Sequence, residues 1–220
     1  MAKNNDVVNT KKKIYKQLLD RILFLEYPPG TVINEKQLFE EFGVSRMPLR
    51  EVLKRLEWEL LIMTLPRMGS IVTDIKYGQV IQVFQVRFEI EEFSGRLAAK
   101  NITGVQLNQI KKISKNVTSL INEDQPDRRK LINADVRFRE ILYSAAGNPI
   151  LSNVSRYLYN LTMRFHSLDF QETDWDRAIR TLDNEISEIY QAFIEKDAIK
   201  AGRIRKKYLR ENVERVKKKF

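Results

Sequence analysis

The 220-residue chain has no cysteine and a single histidine. Without cysteine there is no disulfide framework, no thiolate metal site and no cysteine nucleophile. His166, the one imidazole, has no second histidine to share a metal or a catalytic role, and it reads as a polar residue near a helix end. No glycine-rich phosphate loop is present either, so nothing in the chain supports an enzyme. No apolar run approaches the roughly 18 to 20 residues that span a bilayer. The N-terminal Lys3-Asn4-Asn5-Asp6 lacks the apolar core of a signal peptide. The expectation is a cytoplasmic protein with no membrane partner.

What is present is charge. Charged residues make up 31% of the chain and apolar ones 43%, a balance suited to a globular protein rather than a disordered one. The formal net charge of +10 points to a polyanionic partner. Its location matters more than its size. Residues 1–76 carry 13 basic and 10 acidic side chains, residues 77–202 carry 17 of each, and residues 203–220 carry 9 and 2. The surplus therefore sits at the C-terminus. The positives of Arg203 to Lys219 are spread around a helix and read as a solvated face.

Taken in order, residues 1–10 look like a frayed tail. Lys11 to Leu25 follows as an amphipathic helix with Tyr15, Leu18, Leu19, Ile22 and Leu23 on its apolar face. Tyr27-Pro28-Pro29-Gly30 stops it. Asn34-Glu35-Lys36-Gln37 has the form of a capping box opening a short helix that ends at Gly43, a natural left-handed position. Ser45 then caps a second helix. Leu49, Val52, Leu53 and Leu56 share its inner face, while Arg46, Arg50 and Lys54 repeat every four residues on another. Two short helices joined by a glycine turn, with the second one basic at its start, are the pattern of a helix-turn-helix. The apolar runs Leu60–Leu65 and Ile71–Thr73 flank a Pro66–Ser70 turn and read as a β-hairpin with Arg67 and Gly69 at its tip. Helix, helix-turn-helix and hairpin in that order make a winged helix.

Residues 15–73 resemble the DNA-binding domain of the GntR superfamily of bacterial transcription regulators. The residues carrying the likeness are Pro29-Gly30, Asn34-Glu35-Lys36-Gln37-Leu38, Gly43-Val44-Ser45-Arg46, Pro48-Leu49-Arg50-Glu51-Val52-Leu53, Leu56-Glu57 and Gly69. The resemblance implies DNA contacts at Lys36, Ser45, Arg46, Met47, Pro48, Arg50 and Gly69, to which the wing adds Arg67. Arg46 and Arg50 would read guanine edges; Lys36, Ser45 and the Gly69 backbone would position phosphates. Met47 stands where a small polar residue is usual, so an apolar contact replaces a hydroxyl one. Leu60 stands where a helix-ending glycine is common, so the helix ends differently or holds Leu60 under strain.

After a linker at residues 75–78, every segment from 79 to 220 reads as helix. The expected helices are Val80–Lys100, Thr103–Asn122, Asp127–Ala146, one from Pro149 to about Ser167, Asp174–Lys196 and Asp197–Phe220. Val83, Phe84, Phe88, Ile90 and Leu97 make the apolar stripe of the first. Gly147-Asn148-Pro149 is a stop-and-start signal. The fold class is thus mainly α: a winged helix-turn-helix over residues 11–74, then an antiparallel bundle of six or seven helices.

This second part resembles the all-helical FadR-type effector domain, through Val86-Arg87, Glu89, Arg96-Leu97-Ala98-Ala99, Asp135, Phe138, Ala145 to Pro149 and Asp197. Most members of that branch hold a divalent metal with one aspartate and three histidines. Here the motif reads Asp135-Val136-Arg137-Phe138-Arg139, and the other two histidine positions fall on Ile186 and Tyr208. Guanidinium cannot ligate, so no metal and no cofactor are expected. Arg139 either pairs with Asp135 one turn away, or joins Arg87 in a cationic pocket for a carboxylate or phosphate; a larger acyl-type effector is also implied by metal-free members of the branch. The resemblance implies a homodimer that binds a palindromic double-stranded DNA operator and responds to a small-molecule effector, most simply as a repressor. The alternative is a DNA-binding regulator or architectural protein whose helical domain no longer senses anything.

Overall fold

A computed structural model of the chain describes residues 2–121, 123, 127–169 and 175–217. The side chains of residues 2–8, 128, 166–169, 175, 215 and 216 are outside that description, and with them the reading of His166. Two compact units result: Met1–Lys76 with Met163–Leu168, and Tyr77–Thr162 with Asp169–Phe220. No described helix is long and apolar enough to cross a membrane.

The first unit contains α1 (Ala2–Leu23), α2 (Glu35–Phe42), α3 (Arg46–Trp58), β1 (Ile62–Leu65) and β2 (Gly69–Val72). Residues 2–10, expected as a frayed tail, continue α1 instead, because no proline or glycine interrupts the backbone before Pro28. The inner face of α1 is Ile14, Leu18, Ile22 and Leu23, with Tyr15 and Leu19 only partly covered. Tyr15 instead ties α1 to α3. Its hydroxyl donates to Glu59 at 2.7 Å, and the Arg55 guanidinium stacks 3.6 Å above its ring.

Local chemistry sets the start and end of each short helix. The Asn34 side chain accepts the Gln37 N–H at 3.1 Å, but no described bond returns from Gln37, so only half of the expected capping box forms. Gly43 ends α2 at φ 61°. Leu60 ends α3 in the left-handed region at φ 57°, with its own N–H on Glu57 O and the Leu61 N–H on Leu56 O. Strain at a non-glycine residue is thus how α3 stops. The hairpin pairs Ile62 with Val72 and Leu65 with Gly69, a tighter tip than the sequence indicated. Residues 30–33 run along β2, with Ile33 N–H on Ser70 O at 2.8 Å and a bridge from Val32 to Ile71.

The second unit is built from α4 (Tyr77–Asn101), α5 (Gly104–Leu120), α6 (Arg128–Ala145), α7 (Pro149–Asp169) apart from its Met163–Leu168 turns, α8 (Trp175–Ile194) and α9 (Ala198–Lys217). Helix α4 begins at Tyr77, so it takes up residues 77 and 78 of the expected linker; the first turn of a helix needs no internal N–H acceptor and tolerates Gly78. Thr103 and Gln106 form a complete capping box, Asp127 caps α6, and Asp197 accepts the Lys200 N–H at 2.8 Å to open α9. Gly147 at φ 67° ends α6, and Asn148 accepts the Leu151 N–H at 3.1 Å as α7 starts on Pro149. Asp174 lies outside the described residues.

Of the expected apolar stripe of α4, only Val83 and Phe84 are buried. Phe88, Ile90 and Leu97 are partly exposed, while Val80, Val83, Phe84, Arg87, Glu91, Ser94, Gly95, Ala98 and Ala99 face inward. Hydropathy favoured the larger apolar residues, but the inner face is used for ion pairing and for close approach to α9. A side chain at Gly95 would meet Arg205 Cγ at 2.8 Å and Ala201 O at 3.0 Å; one at Gly202 would meet Glu92 O at 2.8 Å. These two glycines let α4 and α9 lie close enough for Arg205 to reach Glu91.

Candidate nucleic-acid interface and the charged interior of the helical unit

Helix α3 buries Leu49, Val52, Leu53 and Leu56, the four positions its spacing assigns to the core. That packing fixes the helix about its axis and turns Arg46, Met47, Arg50 and Lys54 outward, with Met47 67% exposed. Ser45 takes the N-cap backbone conformation, but its hydroxyl makes no capping bond. Pro48 lies in the first turn, where its missing N–H costs nothing. Lys36, near the start of α2, is exposed as well.

The wing tip is a turn in which Met68 N–H donates to Leu65 O at 3.2 Å. Pro66 occupies its second position and Arg67 its third, at φ 66°. A turn of this kind asks for glycine at the third position. Arginine is held there against its preference and is exposed at the hairpin tip. Gly69 follows at φ 82°.

Among the described residues, Lys36, Arg46, Arg50, Lys54 and Arg67 make no ion pair. Other cations of the same unit do: Lys11 with Glu51, Arg21 with Glu41, and Arg55 with Glu59 at 3.0 Å. Lys11 and Arg21 tie α1 to α3 and to α2, while the Arg55 pair lies within one turn at the end of α3. The unpaired ones present charge outward from the start of α2, from one face of α3 and from the hairpin tip.

The helical unit treats charge the opposite way. Arg87, Glu91, Arg139, Glu185 and Arg205 are all at most 6% exposed. Arg139 grips Glu185 with both terminal nitrogens, each at 2.7 Å, and Arg205 Nη1 donates to the same carboxylate. Arg205 Nη2 donates to Glu91 at 2.6 Å, and Arg87 reaches Glu91 at 3.1 Å and the Thr162 hydroxyl. Tyr143 donates to Glu91 at 2.5 Å. At the outer edge, Arg139 Nη2 lies 2.8 Å from Asp135 Oδ1 without the alignment of a hydrogen bond, while Tyr159 donates to Asp135 Oδ2 at 2.7 Å. The chain of contacts joins α4, α6, α7, α8 and α9.

Burial by itself raises the Glu91 pKa, but the Arg205 and Arg87 guanidinium groups outweigh it and hold the carboxyl at about 2. Burial and the negative charge of Glu91 push the Tyr143 hydroxyl up. Burial and the neighbouring Arg139 charge lower the Arg205 pKa, against the pull of Glu91.

Of the residues singled out for an effector, Arg87, Asp135 and Arg139 meet in this cluster. Ile186 is fully buried and contributes no polar atom, and the Tyr208 hydroxyl donates instead to Glu188 at 2.7 Å. A resident metal does not fit. Asp135 is the only carboxylate in the expected motif and is engaged by Arg139 and Tyr159; among the described residues no three histidine or acidic side chains group as metal ligands.

Glu91, Glu185 and Arg205 were not foreseen. A signal was present: each sits at a helical spacing otherwise filled by buried residues, Glu185 three after Leu182 and Arg205 four after Ala201. Charges of both signs in core registers of several helices ask for one another. Among the described basic side chains of the C-terminal stretch, only Arg205 enters the core; Lys206 pairs with Glu89 and Glu92 and Lys207 with Glu188 nearer the surface, while Arg203 and Arg210 are exposed as the solvated-face reading expects.

Comparison with known proteins agrees with both halves. The model of bacterial regulatory proteins of the gntR family matches residues 10–72, and that of the FCD domain matches residues 82–211. The HTH-type transcriptional regulator YdhC of Bacillus subtilis is 28% identical over 149 residues, 68% of this chain and 66% of YdhC. The HTH-type transcriptional repressor RspR of Escherichia coli is 35% identical over 106 residues, 48% of this chain and 46% of RspR. The alignments thus span two thirds or less of these relatives. The solved structure of E. coli McbR/YncC superposes with a TM-score of 0.84 at 18% identity, over 96% of this chain and 98% of that one, and shows the same fold. The relatives are transcription regulators, not enzymes, and the chain belongs to the gntR family of bacterial regulatory proteins, in the branch that carries an FCD domain.

Proposed function

We propose that the protein is a sequence-specific transcription regulator that binds a palindromic double-stranded DNA operator as a homodimer. The observation that carries this reading is the set of outward, unpaired cations at the start of α3 and at the wing tip of a winged helix. Arg46 and Arg50 read base edges in the major groove, where a guanidinium can pair with guanine O6 and N7. Met47 offers an apolar contact such as a thymine methyl. Pro48 presets the first turn. Lys36, the free Ser45 hydroxyl and the Gly69 backbone hold phosphates, and Arg67 extends the wing's reach. One such helix reads only a few base pairs, so two half-sites about one helical turn apart are needed for adequate specificity. Repression is the sign of regulation proposed, in line with the name of RspR. The site of action is the bacterial cytoplasm, and the effector is a small carboxylate or acyl compound acting on the helical unit.

One observation favours a second reading, in which the helical unit no longer senses. Arg87 and Arg139, the cations an anionic effector would use, already face Glu91, Glu185 and Asp135. Genomic mapping of binding sites, followed by titration of the recovered duplexes, tests the proposal. Palindromic sites bound by two chains are expected, and their loss in the Arg46→Ala, Arg50→Ala double variant. Binding of a single chain with no preferred sequence would overturn it. An operator affinity that changes with organic acids separates the first reading from the second.

A further inference from the structure

The carboxylate of Glu185 is held as a bound ligand is held. Both its oxygens lie 2.7 Å from the two terminal nitrogens of Arg139, the paired geometry that arginine makes with free carboxylates. A second guanidinium, from Arg205, donates to Oε1 from another side. The two arginines come from α6 and α9 and the carboxylate from α8, so a single group closes three helices on one another.

The donors of the cluster exceed what its acids satisfy. The Nε atoms of Arg87, Arg139 and Arg205 are buried without an acceptor. Glu91 is taken by Arg87, Arg205 and Tyr143, and Asp135 accepts from Tyr159 through Oδ2, while its Oδ1, 2.8 Å from Arg139 Nη2, accepts no hydrogen bond. The two cations on Glu185 each keep one other acid contact, Arg139 with Asp135 and Arg205 with Glu91. The outer edge of the cluster is Asp135, whose side chain keeps 21% exposure beside Arg139 and so marks the side nearest solvent.

We infer that Arg139 and Arg205 form a binding seat for a small carboxylate, and that in the resting protein the side chain of Glu185 fills it as an internal ligand. A free carboxylate enters by displacing Glu185, and doing so cuts the tie from α8 to α6 and α9. The inference deepens the reading of the helical unit as the effector-bearing part and names what an acid effector competes against. It does not need DNA for its test, so it can fail while operator binding stands, and the reverse.

The probe is acetate. Its heavy atoms match those that Glu185→Ala removes beyond Cβ, so the variant leaves a space of the right size facing two guanidinium groups. Thermal unfolding of the full chain is followed in sodium acetate and in sodium chloride of equal ionic strength. For Glu185→Ala, acetate far above its dissociation constant should raise the midpoint by about 5 °C or more over chloride. Wild type and Glu185→Gln, in which acetate must first displace a side chain, should need far more acetate for the same gain, and a bulky acid such as benzoate should act more weakly than acetate on Glu185→Ala. Should Glu185→Ala fail to fold in either salt, Glu185→Ala with Arg205→Met removes the stranded cation, keeps the Arg139 fork and carries the same test. No acetate response in the variant that folds overturns the inference. So does an equal response in wild type, since Glu185 would then not be what occupies the seat.

Discussion

Arg46, Arg50 and Arg67 stand in solvent without a carboxylate, whereas Arg87, Arg139 and Arg205 are buried and each touches at least one. The same side chain thus does opposite work in the two units. In solvent an unpaired guanidinium is well hydrated and costs the fold little, so it can be held ready for an external anion. In the interior an unpaired one would cost several kcal/mol, and only a partner of opposite sign makes its burial tolerable. In the first unit these three cations stay open to an anion outside the chain; in the second the buried three are paired within it.

If that contrast is right, removing an acid from the interior should damage stability most. Glu91→Leu leaves Arg87 and Arg205 facing each other and is expected to cost about 3–5 kcal/mol in urea unfolding. A cost under 1 kcal/mol would mean that the cluster adjusts freely and that the contrast is one of position only. Acid should act on the same group. The Glu91 carboxyl titrates at about 2 in the fold against an ordinary 4.5, so the folded state holds that proton less tightly than the unfolded chain. Its contribution, roughly 3 kcal/mol, is complete above pH 4.5 and is lost as pH falls through about 2. Urea midpoints measured across that window should slope steeply in wild type and less in Glu91→Gln.

The first unit should give the mirror result. Arg50→Ala is expected to leave unfolding within about 0.5 kcal/mol of wild type. It should weaken operator binding by about 1–3 kcal/mol and relax preference at one base pair. A uniform loss across unrelated duplexes would recast Arg50 as a phosphate contact. The smallest effect concerns backbone strain. Leu60→Gly removes the left-handed strain at φ 57° and should stabilise the chain by about 1 kcal/mol in urea, with no change in DNA affinity. Destabilisation there would show that the Leu60 side chain contributes packing the strain serves.

Much of the first unit was legible because its signals are local. Gly43, Asn34 and the four apolar positions of α3 act within one or two turns, and their chemistry needs no knowledge of the rest of the chain. Leu60 was legible too, since a leucine at a glycine position poses a question that only two conformations answer. The wing was less so. The strand-like run of residues 30–33 along β2 follows Pro28-Pro29-Gly30, which reads simply as a stop. In the second unit the helix ends at Gly147-Asn148-Pro149 and Asp197 could be read, but the inner face of α4 could not. Phe88, Ile90 and Leu97 outrank Arg87, Glu91 and Gly95 in hydropathy, and nothing within α4 shows that Arg205 waits across from it.

The sequence by itself determined several helix ends, at Gly43, at Gly147-Asn148-Pro149 and at Asp197, which face of α3 packs, that no cysteine chemistry is available, and that arginine rather than a metal ligand stands at position 139. These follow from residue type and spacing along the backbone. Only the tertiary structure decided which charges meet: that Arg139 turns to Glu185 as well as Asp135, that Arg205 leaves a basic helix for the core, and that Glu91 joins them. The energy of a buried ion pair depends on distance and on exclusion of water, and both are properties of helices far apart in the chain brought together by packing.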